Sequence, residues 1–264
     1  MKKKSIQSKS LALSKKDQIF VIAATTAGGV IEWYELFLYV YWAPLISKIF
    51  FSSDSKFSAS INTLFVFFIG FLARPIGGLI FGHMGDRYGR RVSFIRSMIL
   101  ITLPSFAMGL LPSIEMGIFA PVVLGALRFF QGLPAGGELP GAMCYLAESA
   151  RKEKRSFVCS FSFFGPQIGV LISMLECYLF EKFMSQEFLE TWGWRISFII
   201  GGLLGLVGFY IRHRLKETPA FLNLGKSRKV LHRPIFETII RHKKELIFGF
   251  FASFLDVVGF YMFS

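Results

Sequence analysis

Seven apolar stretches, each long enough to cross a lipid bilayer, divide this chain of 264 residues and restrict its fold more than any other feature. A spanning helix needs about 20 mainly apolar residues, since the hydrocarbon core is about 30 Å thick and a helix rises 1.5 Å per residue. The spans are predicted at 19–46, 59–81, 92–111, 118–147, 157–180, 195–211 and 246–264, with a tight turn at Pro112-Ser113 after the third. Only 18% of residues are charged while 53% are hydrophobic, against about 25% charged in an average soluble domain. Such a chain has too little polar surface to cover a water-facing globule. The expected class is an all-α membrane protein.

Charge between the spans gives the orientation. Lys and Arg cluster at Lys2 to Lys4, Arg87 to Arg91, Arg151 to Arg155 and from Arg212 to Lys244. The alternate loops are poor in them: Lys48 and Lys56 in one, none in the turn after Pro112, and Lys182 among Glu181, Glu187 and Glu190 in the third. The positive-inside rule puts the clusters and the N-terminus in the cytoplasm. The net charge of +13 is therefore topological. No basic stripe tracks a single surface, so nucleic acid is not an expected partner. The three cysteines, Cys144, Cys159 and Cys177, lie in apolar segments without CxxC spacing and read as packing residues. The apolar stretch near the N-terminus runs on to Ile46 and contains Glu32 and Glu35, too long and too polar for a cleaved leader; it reads as a retained span. The organisation expected is a basic N-terminus at 1–18, a six-helix bundle at 19–211, a basic linker at 212–244 with Pro219 and Pro234, and a seventh helix at 245–264.

Charged residues inside the spans are the candidate site. A charge at the centre of a spanning helix costs about 2.5–3.5 kcal/mol, so it should face the interior and have a partner. Arg128 is such a residue. Glu32 and Glu35 are three apart and share a helix face. At 1.5 Å per residue, Glu32 lies about 20 Å from the basic end and Arg128 about 15 Å from the opposite end, so both sit near mid-membrane and a Glu–Arg contact is possible. A purely structural buried ion pair is the alternative. Glu176 is placed toward the outer end of the fifth span, and Asp256 lies within the seventh, where it could line a cavity.

Between the second and third spans stands Gly82-His83-Met84-Gly85-Asp86-Arg87-Tyr88-Gly89-Arg90-Arg91. Its glycines permit a sharp reversal and Asp86 can pair with the surrounding cations. The phosphate-cradling pattern GxxxxGK(S/T) is absent and no strand precedes it. Glu148 and Arg155 lie seven apart beyond the fourth span. No constellation suggests catalysis or a metal, and no cofactor is expected.

These elements resemble landmarks of the major facilitator superfamily. The Gly82 to Arg91 stretch is similar to its loop between helices two and three, and Glu148 with Arg155 to the acid-to-arginine element after helix four. The stretch from Arg128 through Gln131, Gly137, Glu138 and Tyr145 to Glu148 resembles RxxQGxxxGGExxGAxxYxxE. Gly28 to Tyr39 resembles GNxxEWYDFxxY of the metabolite–proton symporters, with Gly29 in place of Asn and Glu35 in place of Asp. Phe71 to Gly78 and Gly193 to Phe198 fall in the usual order. The resemblance implies the six-helix N-terminal bundle, a 3+3 inverted repeat, plus a seventh, terminal helix, in a bacterial inner membrane with the N-terminus cytoplasmic. It implies solute–proton symport of a small metabolite or osmolyte, proline/betaine or a carboxylate, by alternating access. Glu32, Glu35, Arg128 and Glu138 become the proton and substrate coupling groups. Gly82, Gly85, Asp86, Arg87, Gly89, Arg90, Arg91, Glu148 and Arg155 become the gating latch. The partners implied are the solute and H⁺, membrane lipid, and a C-terminal half bundle if separately encoded. Seven spans against the twelve implied make a truncated or split product, without transport of its own, the alternative expectation.

The alternating charges predict that cysteine-accessibility labelling finds positions near Met84 and Arg151 cytoplasmic and positions near Asp54 and Glu187 external. Labelling of the Arg151 region from outside intact cells would overturn this topology.

Overall fold

A computed structural model describes residues 15–51, 56–112, 119–226 and 234–263; the Lys2 to Lys4 cluster, Asp54 and Ser113 lie outside them. The described residues form helices α1 (Lys15–Phe50), α2 (Lys56–Tyr88), α3 (Arg90–Gly109), α4 (Phe119–Ser149), α5 (Arg155–Phe183), α6 (Trp194–His213), α7 (Pro219–Lys226), α8 (Pro234–Arg241) and α9 (Lys243–Phe263). A short turn, Gln186–Phe188, and a π-helical turn, Leu189–Gly193, lead into α6. Helices α1 to α5 each contain proline, at Pro44, Pro75, Pro104, Pro134 and Pro140, and Pro166. Neighbouring helices in a membrane bundle tolerate such breaks by satisfying the freed backbone groups.

The six long helices run alternately up and down. At one end Lys216 meets Asp17 at 3.0 Å, Arg90 meets Glu148 at 3.3 Å and Arg91 donates to the His213 carbonyl at 2.6 Å. This brings the start of α1 and α3 and the ends of α4 and α6 together with the basic clusters. At the other end Lys48 pairs with Glu190, and Phe50 packs edge-on against Trp194 at 5.4 Å. The most extensive packing is α2 on α4, α1 on α5 and α3 on α6. Exchanging the first three helices for the second three turns the α2–α4 pair into α5–α1 and leaves α3–α6 unchanged, which is the pairing of a 3+3 repeat. The α2 and α4 backbones touch where Gly132 lies against the Gly70 carbonyl, as small residues permit in membrane interfaces. Apolar clusters fill both ends: Tyr34, Leu38, Trp42 and Phe198 near one, Val21, Phe94, Tyr145 and Leu215 near the basic one.

Among the described residues, five stretches are long and apolar enough to cross a membrane: Lys15–Phe50, Ile61–Tyr88, Arg90–Gly109, Lys152–Phe183 and Gln186–His213. The expected seventh span, α9, is not among them, nor is the fourth, α4, although it is long enough at 31 residues. Arg128, Gln131 and Glu138 dilute its apolar character, and α4 is instead enclosed by α1, α2, α3 and α5. The linker also differs from a plain polar loop. Pro219 and Pro234 open α7 and α8 at the helix position where a missing N–H costs nothing. Helix α9 packs against α8, and its side chains from 243 to 255 are exposed; Glu32, Glu35, Arg128 and Glu138 are buried by the bundle itself.

The expected reversal over residues 82–91 is far sharper than a loop. α2 continues through Gly82, Gly85, Asp86 and Arg87 to Tyr88, and α3 begins at Arg90. Gly89 alone makes the turn, with φ 105° and ψ 152°. That conformation suits only glycine, and an added Cβ would also strike the Glu217 carboxylate. Gly89→Ala is expected to cost about 1–3 kcal/mol, read as a lowered melting temperature of the purified chain; an unchanged melting temperature would show that the turn tolerates a side chain.

Candidate functional site

Glu32 and Glu35 on α1, Arg74 on α2 and Arg128 and Gln131 on α4 line one cleft in the middle of the bundle. Helical spacing puts Glu32 and Glu35 on one face of α1, and Arg128 and Gln131 on one face of α4. Glu35 is buried; its Oε2 accepts from Ser105 Oγ at 2.5 Å and from Gln131 Nε2 at 3.1 Å. Gln131 Oε1 in turn accepts from Arg128 Nη1 at 3.0 Å. The Arg128 guanidinium lies 3.7 Å from the Tyr39 ring centroid and 5.7 Å from that of Phe198. Glu35 Oε1 and Arg128 Nε and Nη2 are buried and make no hydrogen bond among the described residues.

The expected Glu–Arg contact is therefore indirect: Gln131 stands between Arg128 and Glu35, and Arg128 forms no ion pair among the described residues. Gln131 carries a ladder that sequence spacing did not assign to it, although its place one turn beyond Arg128 is the signal. Arg74 also joins the cleft; the rule that singled out Arg128, a cation inside an apolar span, applies equally to it.

Glu138 belongs to a different cluster from the one expected. Its two oxygens accept from Nη1 and Nη2 of Arg212 on α6, the Nη1 contact at 2.9 Å, and Oε2 also accepts from Ser97 Oγ of α3 at 2.9 Å. Arg212 Nη1 donates to Ser97 Oγ at 3.1 Å as well, and the guanidinium lies 4.7 Å from the Phe94 ring centroid. Arg212, assigned from sequence to the linker, is 1% exposed and inside the bundle. Gly28 of α1 makes the room: a Cβ there would coincide with the guanidinium. The last turn of α6 thus folds its arginine inward, and the linker starts after His213.

At the basic end the gating residues divide. Arg90 bridges Asp86, at 2.8 Å, to Glu148, at 3.3 Å. Arg91 reaches the end of α6 through the His213 carbonyl. The Arg87 guanidinium stacks 5.2 Å from the Tyr88 ring centroid. Arg155 is exposed at the start of α5 and joins no ion pair among the described residues, so the spacing from Glu148 does not bring the two together. Glu217 and Thr218 were not expected. Glu217 accepts from the backbone N–H of Arg90 and Arg91 at 3.0 and 3.2 Å, capping α3, while Thr218 Oγ1 donates to Glu148 at 2.6 Å. Glu176, expected at the membrane interface, accepts from Tyr34 Oη at 2.5 Å. The side chain of Asp256 lies outside the described residues.

Comparison with known proteins agrees with this architecture. Residues 20–246 match the family described as "Sugar (and other) transporter". The chain is 34% identical over 244 residues to the inner membrane metabolite transport protein YhjE of Escherichia coli, covering 92% of this chain and 56% of that protein. It is 38% identical over 222 residues to a putative proline/betaine transporter of Staphylococcus haemolyticus, covering 79% of this chain and 47% of that one. In the second comparison and in the first, the chain spans about half of its relative's length. Among solved structures, the proton:xylose symporter XylE superposes with a TM-score of 0.74 at 18% identity, over 86% of this chain and 50% of that one. A partially occluded inward-open form of XylE from E. coli gives 0.72 at 20% identity, over 86% and 54%. The match over residues 20–246 and the repeat-paired six-helix bundle together mean that this chain belongs to the sugar (and other) transporter family of the major facilitator superfamily and contains its N-terminal bundle.

Proposed function

We propose that this chain supplies the N-terminal half of a symporter that moves a small carboxylate-bearing metabolite or osmolyte together with a proton, by alternating access against a second six-helix bundle. The observation that carries this is the pairing of unused groups in one cleft: Glu35 Oε1 and Arg128 Nε and Nη2, all buried and without hydrogen bonds among the described residues. Buried polar groups are ordinarily satisfied, and those left open mark where a ligand is received. The open N–H groups of Arg128 suit a carboxylate, which proline, betaine and dicarboxylates all carry. Glu35 and Glu32 suit the proton. The two ligands favour each other: a solute carboxylate on Arg128 takes up the cation that compensates Glu35, and a proton then neutralises Glu35 in its place. The relatives named proline/betaine transporters support the solute class.

The positive-inside rule supports a cytoplasmic basic end in the bacterial inner membrane. In that orientation Asp86, Arg90 and Glu148 form the latch, together with Glu217 and Thr218. Opening the cytoplasmic side breaks these contacts and closing it remakes them.

Supplied with a C-terminal six-helix half, in cells lacking osmolyte and dicarboxylate carriers, the chain is expected to give protonophore-sensitive uptake of radiolabelled proline, betaine or a dicarboxylate. Glu35→Gln should lower accumulation roughly tenfold or more and leave exchange of bound solute, while Arg128→Lys should lose solute binding because a point charge cannot replace the planar fork. Accumulation against a gradient by both Glu32→Gln and Glu35→Gln would make these acids structural.

A further inference from the structure

Two buried acid–base clusters lie one above the other in this bundle, and only one leaves a carboxylate oxygen open; in the other the unused atom is Arg212 Nε. In the cleft, Glu35 and Arg128 keep unused atoms. Toward the basic end, both oxygens of Glu138 are taken by donors: Nη1 and Nη2 of Arg212 and the Ser97 hydroxyl. The Phe94 carbonyl, also 2.9 Å from Ser97 Oγ, is an alternative acceptor for that single hydrogen, and Glu138 keeps the two Arg212 donors in either case. A protonated carboxyl needs an acceptor for its own hydrogen, and a carboxylate held by a bidentate guanidinium is acceptor-only. Glu32 lies one turn beyond Gly28 on α1, between the clusters, within electrostatic reach of Arg74, Arg212 and Glu138. Two neighbouring buried carboxylates cannot both stay charged without a counter-ion.

We propose that Arg212 is a positioning residue that holds Glu138 permanently ionised, so that the transported proton is confined to the cleft acids Glu32 and Glu35. This rests on the symport reading of the cleft and adds to it the reason why one of three buried acids is excluded from proton traffic. The groups facing the pair are few. Among the described residues, α1 brings Glu32, α3 brings Ser97 and α6 brings Arg212, while Arg74 of α2 acts on Glu32 from the cleft. α5 carries its charges only at Arg155 and from Glu176 onward, and α7 has one, Lys226, at its end. Without Arg212, Glu138 becomes an uncompensated buried acid beside Glu32, and burial then favours its protonated form. A guanidinium that served packing alone would leave the protonation state of Glu138 unchanged when replaced.

Infrared spectroscopy of the full purified chain in lipid bilayers tests this through the carbonyl stretch of protonated carboxylic acids. Across a pH titration, the band that appears on acidification should shrink in Glu32→Gln and Glu35→Gln and stay unchanged in Glu138→Gln. Arg212→Gln should add one further band at neutral pH, which Glu138→Gln in the same chain removes. Arg212→Lys, which retains the charge, should add none. The doubly neutral variant, Glu138→Gln with Arg212→Gln, leaves no lone buried charge and keeps the comparison available if Arg212→Gln alone does not fold. In that case a titrating band in Glu138→Gln identical to the parent supports the proposal. Loss of the acid band in Glu138→Gln, or no added band in a folded Arg212→Gln, overturns it. Absence of any band from Glu32 or Glu35 defeats the symport reading instead, and the Arg212→Gln result still decides the state of Glu138.

Discussion

A guanidinium in the interior of a membrane bundle has no water to fall back on, and the placing of Arg212 organises much of this fold. Inserting such a charge costs about 2.5–3.5 kcal/mol on biological scales, and removing one partner of a buried pair costs about 3–5 kcal/mol. Four helices share the solution. α6 provides the arginine, α4 the carboxylate, α3 the Ser97 hydroxyl and the Phe94 ring, and α1 a glycine where a side chain would collide. The pair thereby fixes the azimuth of α6 and α4 and the distance of α1 from both. Apolar packing alone would not do this in lipid, where hydrocarbon tails are as good a neighbour as leucine.

The cleft uses the same residue types to the opposite end. Arg128 is spread over several weak partners, an amide oxygen and two aromatic rings, with no carboxylate closing on it. Inserting Gln131 between Arg128 and Glu35 holds the two charges in register while preventing the bidentate clasp that Glu138 and Arg212 form. Such a clasp would consume the Arg128 donors that stand open here. The difference between a clasped and an unclasped charge pair here is thus one intervening amide.

The helices were legible because their signal is local. An apolar run of spanning length and the alternating basic clusters depend on neighbouring residues, and all six bundle helices lie where those runs predict. α4 was readable too, although Arg128, Gln131 and Glu138 interrupt its apolar run. The buried charges at Glu32, Glu35, Arg128 and Glu138 could be singled out by the cost of charge in lipid, but their partners could not. Glu138 and Arg212 lie 74 residues apart, and no spacing rule links them. Arg212 was further disguised, since an arginine at the end of a span next to His213 and Arg214 has the look of a flanking cation that obeys the positive-inside rule. The sharp reversal expected of the Gly82 to Arg91 stretch was spread over all its glycines, whereas Gly82 and Gly85 remain within α2 and only Gly89 adopts a conformation that requires glycine.

The two ends of this charge system are mechanically joined through α6. Its last turn carries Arg212 inward to Glu138, and the chain just beyond it turns back at the basic end, where Glu217 caps α3 and Thr218 holds Glu148. Tyr145 completes the join by donating to the Lys216 carbonyl. Four residues, from His213 to Lys216, therefore separate the buried pair from the capping acid. Glu148 receives both Arg90 and Thr218, so a shift of α3 against α4 must strain both contacts at once and pull on the end of α6. A displacement that opens the basic end is then felt at Arg212, next to the cleft acid Glu32. Coupling of this kind needs no chain of moving side chains across the membrane: a rigid helix end tied at two depths suffices.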